Sequence, residues 1–173
     1  MEHARNAYQE FKREFKKAIG ELSEPDGIAT FTVDREKVVE VITALKSDAM
    51  GGFDYLTDLC GVDWLACSEP CRTNLSPEGY RFEVVYHLYS MSNNDRIRIK
   101  VRIPDDDPFM PTVTHLFKAA NWLEREVWDM FGISFKGHPD MRRILMWEGF
   151  DGSPLRKDFP LRGKHPIKRT LET

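Results

Sequence analysis

Apolar residues recur every three or four positions over residues 4–22. They are Ala4, Ala7, Tyr8, Phe11, Phe15, Ala18, Ile19 and Leu22, with Glu10, Lys12, Arg13, Glu14 and Lys16 filling the other side. That spacing predicts an amphipathic helix. Pro25 and Gly27 punctuate it, and residues 28–33 then alternate: Ile28, Thr30 and Thr32 on one side, Ala29, Phe31 and Val33 on the other. This predicts a short strand. Asp34 reads as the N-cap of a second helix with an apolar face of Val38, Val39, Val41, Ile42 and Leu45, ended by Gly51-Gly52. Residues 53–62 predict a strand, 64–79 a loop and 80–89 a strand with Phe82, Val84, Tyr86 and Leu88 on one face. Over residues 96–103, Ile97, Ile99, Val101 and Ile103 face a core while Arg96, Arg98, Lys100 and Arg102 face away. The cationic row reads as the wet side of an antiparallel strand. Residues 104–111 read as a loop and 112–118 as a short helical turn.

A third helix is predicted over residues 119–132. Leu123, Val127, Met130 and Phe131 form its stripe, Arg125 and Asp129 are spaced to pair, and Gly132 is placed to stop it. The order helix, strand, helix, three strands, helix predicts an α+β fold. Its form is a two-layer domain, a mostly antiparallel or mixed sheet covered by helices. It occupies residues 1–135.

Beyond Ile133 the periodicity stops. Gly137, Pro139, Gly149, Gly152, Pro154, Pro160, Gly163 and Pro166 are too frequent for a helix or a central strand. Yet Phe135, Ile144, Leu145, Met146, Trp147, Phe150, Leu155, Phe159 and Leu161 are too many large apolar groups for a solvated tail. Lys136, Arg142, Arg143, Arg156, Lys157 and Arg162 lie among them. About 40 residues at ~3.3 Å each reach on the order of 130 Å. The residues alone leave two readings open. One is an extended basic arm over residues 136–173 ordered by another protein. The other is a loop-rich cap on the domain's own core.

Composition narrows the function. A net charge of -3 in 173 residues argues against a dedicated nucleic-acid binder. The charge is uneven, acidic over 54–63 and basic in the arm, which favours protein docking. No apolar run approaches the roughly 20 residues of a membrane span, and the charged start is unlike a signal peptide. The protein is therefore expected to be soluble and intracellular. Cys60, Cys67 and Cys71 are one short of the four thiolates that usually hold an iron–sulfur cluster. Cys60 reads as an apolar strand residue and the other two as loop thiols. The diglycine lacks the Lys-Ser/Thr of a phosphate loop. Asp105-Asp106-Asp107 reads as a solvated loop. At about 100° per residue, Glu124 and Glu126 point about 200° apart, so one metal cannot take both. Glu126 and Asp129, three apart, share a face. The acids are assigned to Arg125 and the arm's arginines, not to catalysis.

Three blocks then carry a resemblance: Glu124-Arg125-Glu126-Val127-Trp128-Asp129-Met130-Phe131-Gly132, Gly137-His138-Pro139-Asp140-Met141-Arg142-Arg143-Ile144-Leu145 and Gly152-Ser153-Pro154-Leu155-Arg156-Lys157-Asp158-Phe159-Pro160-Leu161-Arg162-Gly163. In this order they resemble the signature of the 30-kDa-subunit family, the C subunits of the proton-pumping NADH:quinone oxidoreductase, respiratory complex I. Met141 stands where the family usually has Leu, a volume-conserving change. The resemblance implies a non-catalytic subunit of the peripheral arm, on the cytoplasmic side of a bacterial inner membrane. The D subunit would be its main partner, with the B and I subunits close by. The assembly's FMN, iron–sulfur clusters, NADH and quinone would all bind on other chains. Catalytic, cofactor-binding and metal-binding residues are expected to be none. The signature residues, from Glu124 to Pro160, would form the partner interface, with the arm laid across the D subunit. Rival readings are the equivalent subunit of a membrane-bound hydrogenase, formate hydrogenlyase or ferredoxin- or cofactor-F420-linked dehydrogenase, an RNA-binding sheet module, and a three-cysteine iron–sulfur carrier.

Overall fold

The structure, a computed structural model, describes residues 2–65 and 80–161. The loop thiols Cys67 and Cys71 and the arm beyond residue 161 lie outside the described residues. Helix α1 spans Glu2–Glu14 and buries Ala4, Ala7, Tyr8 and Phe11. It is shorter than the periodicity predicts. Lys16 takes a left-handed φ of 43°, and a 3-10 turn at Lys16–Ala18 follows. The reason is tertiary. Ile19 bridges to Val33 and the Gly20 N–H donates to Thr32 O at 2.8 Å, so the chain leaves the helix to run beside β1, Ala29–Thr32. Gly20 is required there, because a Cβ would lie 1.9 Å from Thr32 Oγ1. The next helix, α2, begins one turn later than expected, at Val38–Lys46. Asp34 precedes a 3-10 turn, and its side chain makes no capping hydrogen bond.

Strands β2 (Tyr55–Asp63), β3 (Phe82–Ser90) and β4 (Asp95–Ile103) form an antiparallel meander. β1 joins parallel to β4, giving the order β1-β4-β3-β2 and a mixed sheet. Register places Leu59, Tyr86 and Ile99 in one row and Gly61, Val84 and Val101 in the next. These residues face the helices, with Phe31, Phe11, Val41, Ile42 and Leu45 in the same core. The opposite face carries Arg96, Arg98, Lys100 and Arg102 beside Tyr89, His87, Val85 and Glu83. Arg96 and Arg102 are exposed, and Lys100 pairs with Glu83 at 3.1 Å. Cys60 is half-buried on that face.

Helix α3, Ala120–Phe131, packs on β2. A Cβ at Gly61 would sit 2.7 Å from the Phe131 ring, so the small residue sets how closely the helix approaches. Gly132, at φ 71°, ends the helix with its N–H on Trp128 O at 2.8 Å. The span expected to be a loop before α3 contains β5, Phe109–Pro111, which pairs in parallel with β6, Ser134–Lys136. This second, two-stranded sheet joins the segments that precede and follow α3. It also crosses the boundary drawn from sequence at residue 135. Residues 137–161 then fold back over α3 and the end of β2 as a cap without regular structure.

Candidate docking site

The cap is organised by one carboxylate. Asp129 is fully buried. Its Oδ2 accepts the backbone N–H groups of Ile144, Leu145 and Met146 at 3.1, 2.9 and 3.0 Å. Its Oδ1 accepts the Arg143 guanidinium. A segment with no ladder of its own must place its N–H groups somewhere, and here the helix supplies the acceptor. Burial works against ionisation of Asp129, but the three N–H groups and Arg143 outweigh it and hold its acidity below the usual carboxylate range. Arg143 also donates to the carbonyls of Phe150 and Gly152 at 2.8 and 3.2 Å, and its guanidinium lies 5.5 Å from the Trp128 ring.

A second carboxylate anchors the far end. Asp63, at the end of β2, accepts the Lys157 N–H at 2.9 Å, the Leu65 N–H at 2.9 Å and the Arg81 guanidinium at 3.2 Å. Arg81 also reaches Asp158 at 2.7 Å and Asp105 at 3.1 Å. Between the anchors, Leu155 N–H donates to Met130 O at 3.0 Å and Arg156 Nε to Phe131 O at 2.5 Å. Arg156 therefore covers the carbonyl end of α3, where a cation is favoured. Gly132 leaves it room, because a Cβ there would lie 2.9 Å from Arg156 Nη2.

The signature thus divides into an inward and an outward set. Glu124, Arg125 and Asp129 are buried, while Glu126 is exposed. Glu126 and Asp129 do not act together, despite their spacing. Arg125 does not pair with Asp129 either: its Nε and Nη2 donate to Arg142 O and Arg143 O at 3.0 and 3.4 Å. Glu124 turns to the opposite side of the helix. It accepts Thr112 Oγ1–H at 2.6 Å and Val113 N–H at 2.7 Å, next to the buried Tyr86. Burial with no cation beside it pushes its carboxyl up to about 7, against the pull of those two donors. His138 is half-buried. Its Nδ1 accepts the Asp140 N–H at 3.0 Å and its Nε2 lies 3.1 Å from Asn121 O, which selects the Nε2–H tautomer. Asp140 pairs with Arg142 through two bonds of 2.6 and 2.7 Å. Trp128, Phe131 and Pro154 are half-buried, and Phe159 stacks on Phe150 at 5.8 Å. Pro139, Lys157, Asp158 and Pro160 are exposed.

Two arginines expected at a partner surface, Arg143 and Arg156, are engaged inside the chain. Trp122, Leu145, Trp147 and Leu155 are each more than half exposed on the outer side of α3 and the cap. Sequence reasoning missed Asp63 and Arg81 as anchors. The available signal was parity: Asp63 continues the inward row of Leu59 and Gly61, where a charged side chain needs a partner. Among the described residues no group of three or more His, Cys, Asp or Glu is placed to hold a metal ion. No helix among them is long and apolar enough to cross a membrane. Of the signature acids, Glu124, Asp129, Asp140 and Asp158 are engaged by arginine, threonine or backbone donors, while Glu126 is exposed.

The sequence pattern of the family described as respiratory-chain NADH dehydrogenase, 30 Kd subunit, matches residues 31–165. The chain belongs to this family. Relatives named as C subunits of NADH-quinone oxidoreductase are 51% identical over 86% of this chain and 75% of theirs in Rhizobium meliloti, and 42% identical over 99% of both chains in Geobacter sulfurreducens. A solved structure of Nqo5, a trypsin-resistant fragment (1-134), aligns with a TM-score of 0.63 and 36% identity over 76% of this chain and 96% of that one. A chain of the membrane-bound sulfane sulfur reductase, an archaeal respiratory membrane complex, aligns with a TM-score of 0.67 and 26% identity over 90% of this chain and 86% of that one. The region that matches the 30-kDa family pattern takes in β2, β3 and β4 of the mixed sheet, α3 and the cap.

Proposed function

We propose that this family member is the non-catalytic C subunit of an NADH:quinone oxidoreductase. In this reading it scaffolds the assembly's peripheral arm on the cytoplasmic side of a bacterial membrane and carries no redox group. The D subunit is the main neighbour, with the B and I subunits adjacent. The observation that carries the reading is the division of the signature. Asp129 and Arg143 are consumed in fixing the cap to α3, while Trp122, Leu145, Trp147 and Leu155 keep more than half of their surface exposed. Large exposed aromatic and aliphatic groups on a rigid support are the kind that a protein interface uses. The chemistry of NADH oxidation and quinone reduction then belongs to other chains. The sulfane sulfur reductase likeness fits the same module in a different machine, but relatives at 42% and 51% identity are named for NADH and quinone.

The test is deletion and replacement in the source cell. Membranes lacking the chain are expected to lose NADH:quinone activity and regain it on re-expression. The purified chain, made anaerobically, is expected to be colourless and unable to oxidise NADH. Unchanged membrane activity after deletion would overturn the scaffold role. Stoichiometric iron or flavin on the purified chain would overturn the assignment of redox groups to its neighbours.

A further inference from the structure

A cleft of about 620 Å³ opens between the first turn of α3 and the cap, lined among others by Trp122, Arg125, Asp140, Arg142, Met146 and Glu148. Its charge is unbalanced at one point. Arg125 is only 8% exposed, yet its hydrogen bonds go to the carbonyls of Arg142 and Arg143. The guanidiniums of Arg143 and Arg81, by contrast, are neutralised directly, by Asp129 and Asp63. The nearby acid, Asp140, accepts one bond from Arg142 at each oxygen and meets Arg125 only through space, without a hydrogen bond. A cation out of water is costly unless an anion meets it. The Trp122 ring lies 5.0 Å from the Arg125 guanidinium and is 63% exposed. Met146, half-buried, also lines the cleft. The site beside the start of α3 also favours an anion.

We propose that this cleft receives an Asp or Glu side chain of a neighbouring subunit, its carboxylate on Arg125 and its apolar flank between Trp122 and Met146. The inference rests on the scaffold reading and names what one part of that interface recognises. Guanidinium geometry suits a carboxylate through two donors, and the Trp–Arg stack fixes the plane in which it is offered. Arg142, paired at the rim and 73% exposed, is a secondary contact.

Two measurements on the whole chain in its native membranes test this. The first compares wild type with Met146→Glu, which puts an anion of the chain's own into the cleft without touching the carbonyl bonds of Arg125. Recovery of the other subunits with the tagged chain is expected to fall tenfold or more, while the melting temperature of the isolated chain does not fall. The second replaces Trp122 with the photo-crosslinker p-benzoylphenylalanine. Adducts are expected on another subunit, within a few residues of an Asp or Glu. Wild type that recovers no other subunit overturns the scaffold reading and this inference together. If wild type recovers them, equal recovery by a folded Met146→Glu overturns the cleft alone. So do adducts that are absent or far from any acid, and this second measurement decides the matter if Met146→Glu fails to fold.

Discussion

Replacing Asp129 with Asn keeps its size and removes its charge. The geometry around it makes that a severe change. Oδ2 accepts three consecutive N–H groups and Oδ1 accepts Arg143. An amide has one acceptor oxygen and one NH2, so one side must meet donor with donor. Either the three N–H groups or Arg143 lose their partner inside the protein. Hydrogen bonds to an ionised group contribute about 1.5–3 kcal/mol each, not additively, and breaking a buried pair costs about 3–5 kcal/mol. We take about 3–5 kcal/mol for the whole site. At about 1.4 kcal/mol per tenfold, opening of the cap becomes roughly 10² to 4 × 10³ times more frequent, up to its full detachment. The assay is trypsin cleavage of the isolated chain at Arg142, Arg143, Arg156 and Lys157, beside the melting curve of the core. Asp129→Asn is expected to speed cleavage at these sites much more than it lowers the core's melting temperature. Cleavage and melting both like wild type would refute the claim that this carboxylate holds the cap.

Other outcomes follow from the same contacts. Glu124 titrates near 7 in the folded protein against 4.5 unfolded. The native state therefore binds the extra proton between these values, and its stability falls as pH rises from about 4.5 to about 7, by on the order of 3 kcal/mol. Glu124→Gln, which still accepts from Val113 and donates to Thr112 Oγ1, is expected to flatten that slope in urea titrations at about pH 5 and about pH 8. Asp129 behaves oppositely: its contribution is present above 3.8 and is lost as pH falls through its lower folded value, so protection of the cap from pepsin, which is active in acid, should disappear at the acid end. Gly61→Ala forces the Phe131 ring away from β2 and is expected to cost about 1–3 kcal/mol in thermal unfolding. Trp147→Asp removes an exposed ring that also meets Phe150 edge-on at 4.8 Å, and should lower the chain's recovery in the assembly far more than it lowers the isolated chain's melting temperature.

The elements with a clean period were legible. Strand β4 alternates without interruption from Ile97 to Ile103, and α3 carries both its stripe and its glycine stop. Legibility failed where tertiary contacts compete with local pattern. The apolar spacing of α1 runs on through Ile19, but the backbone must turn at Lys16 to let Gly20 reach Thr32. β5 and β6 are three residues each and pair across the whole of α3, so neither has a period to read. The signature acids were recognised as pairing groups, yet their partners were not. Helical spacing says which residues share a side, not that Arg125 finds two carbonyls while Asp129 finds three amides. The cap has no period at all. Whether such a segment lies on its own domain is decided by acceptors like Asp129 and Asp63, whose directions appear only once α3 and β2 are placed.

The most direct test of the scaffold account is mild-detergent purification of the tagged chain from the membranes of its own cell, with the recovered proteins identified by mass spectrometry. The account predicts recovery of a flavin-binding NADH-oxidising subunit together with the D, B and I subunits, in fixed ratio to this chain. Recovery of the chain alone, or with a hydrogenase or sulfur reductase in place of the NADH-oxidising subunit, would contradict it.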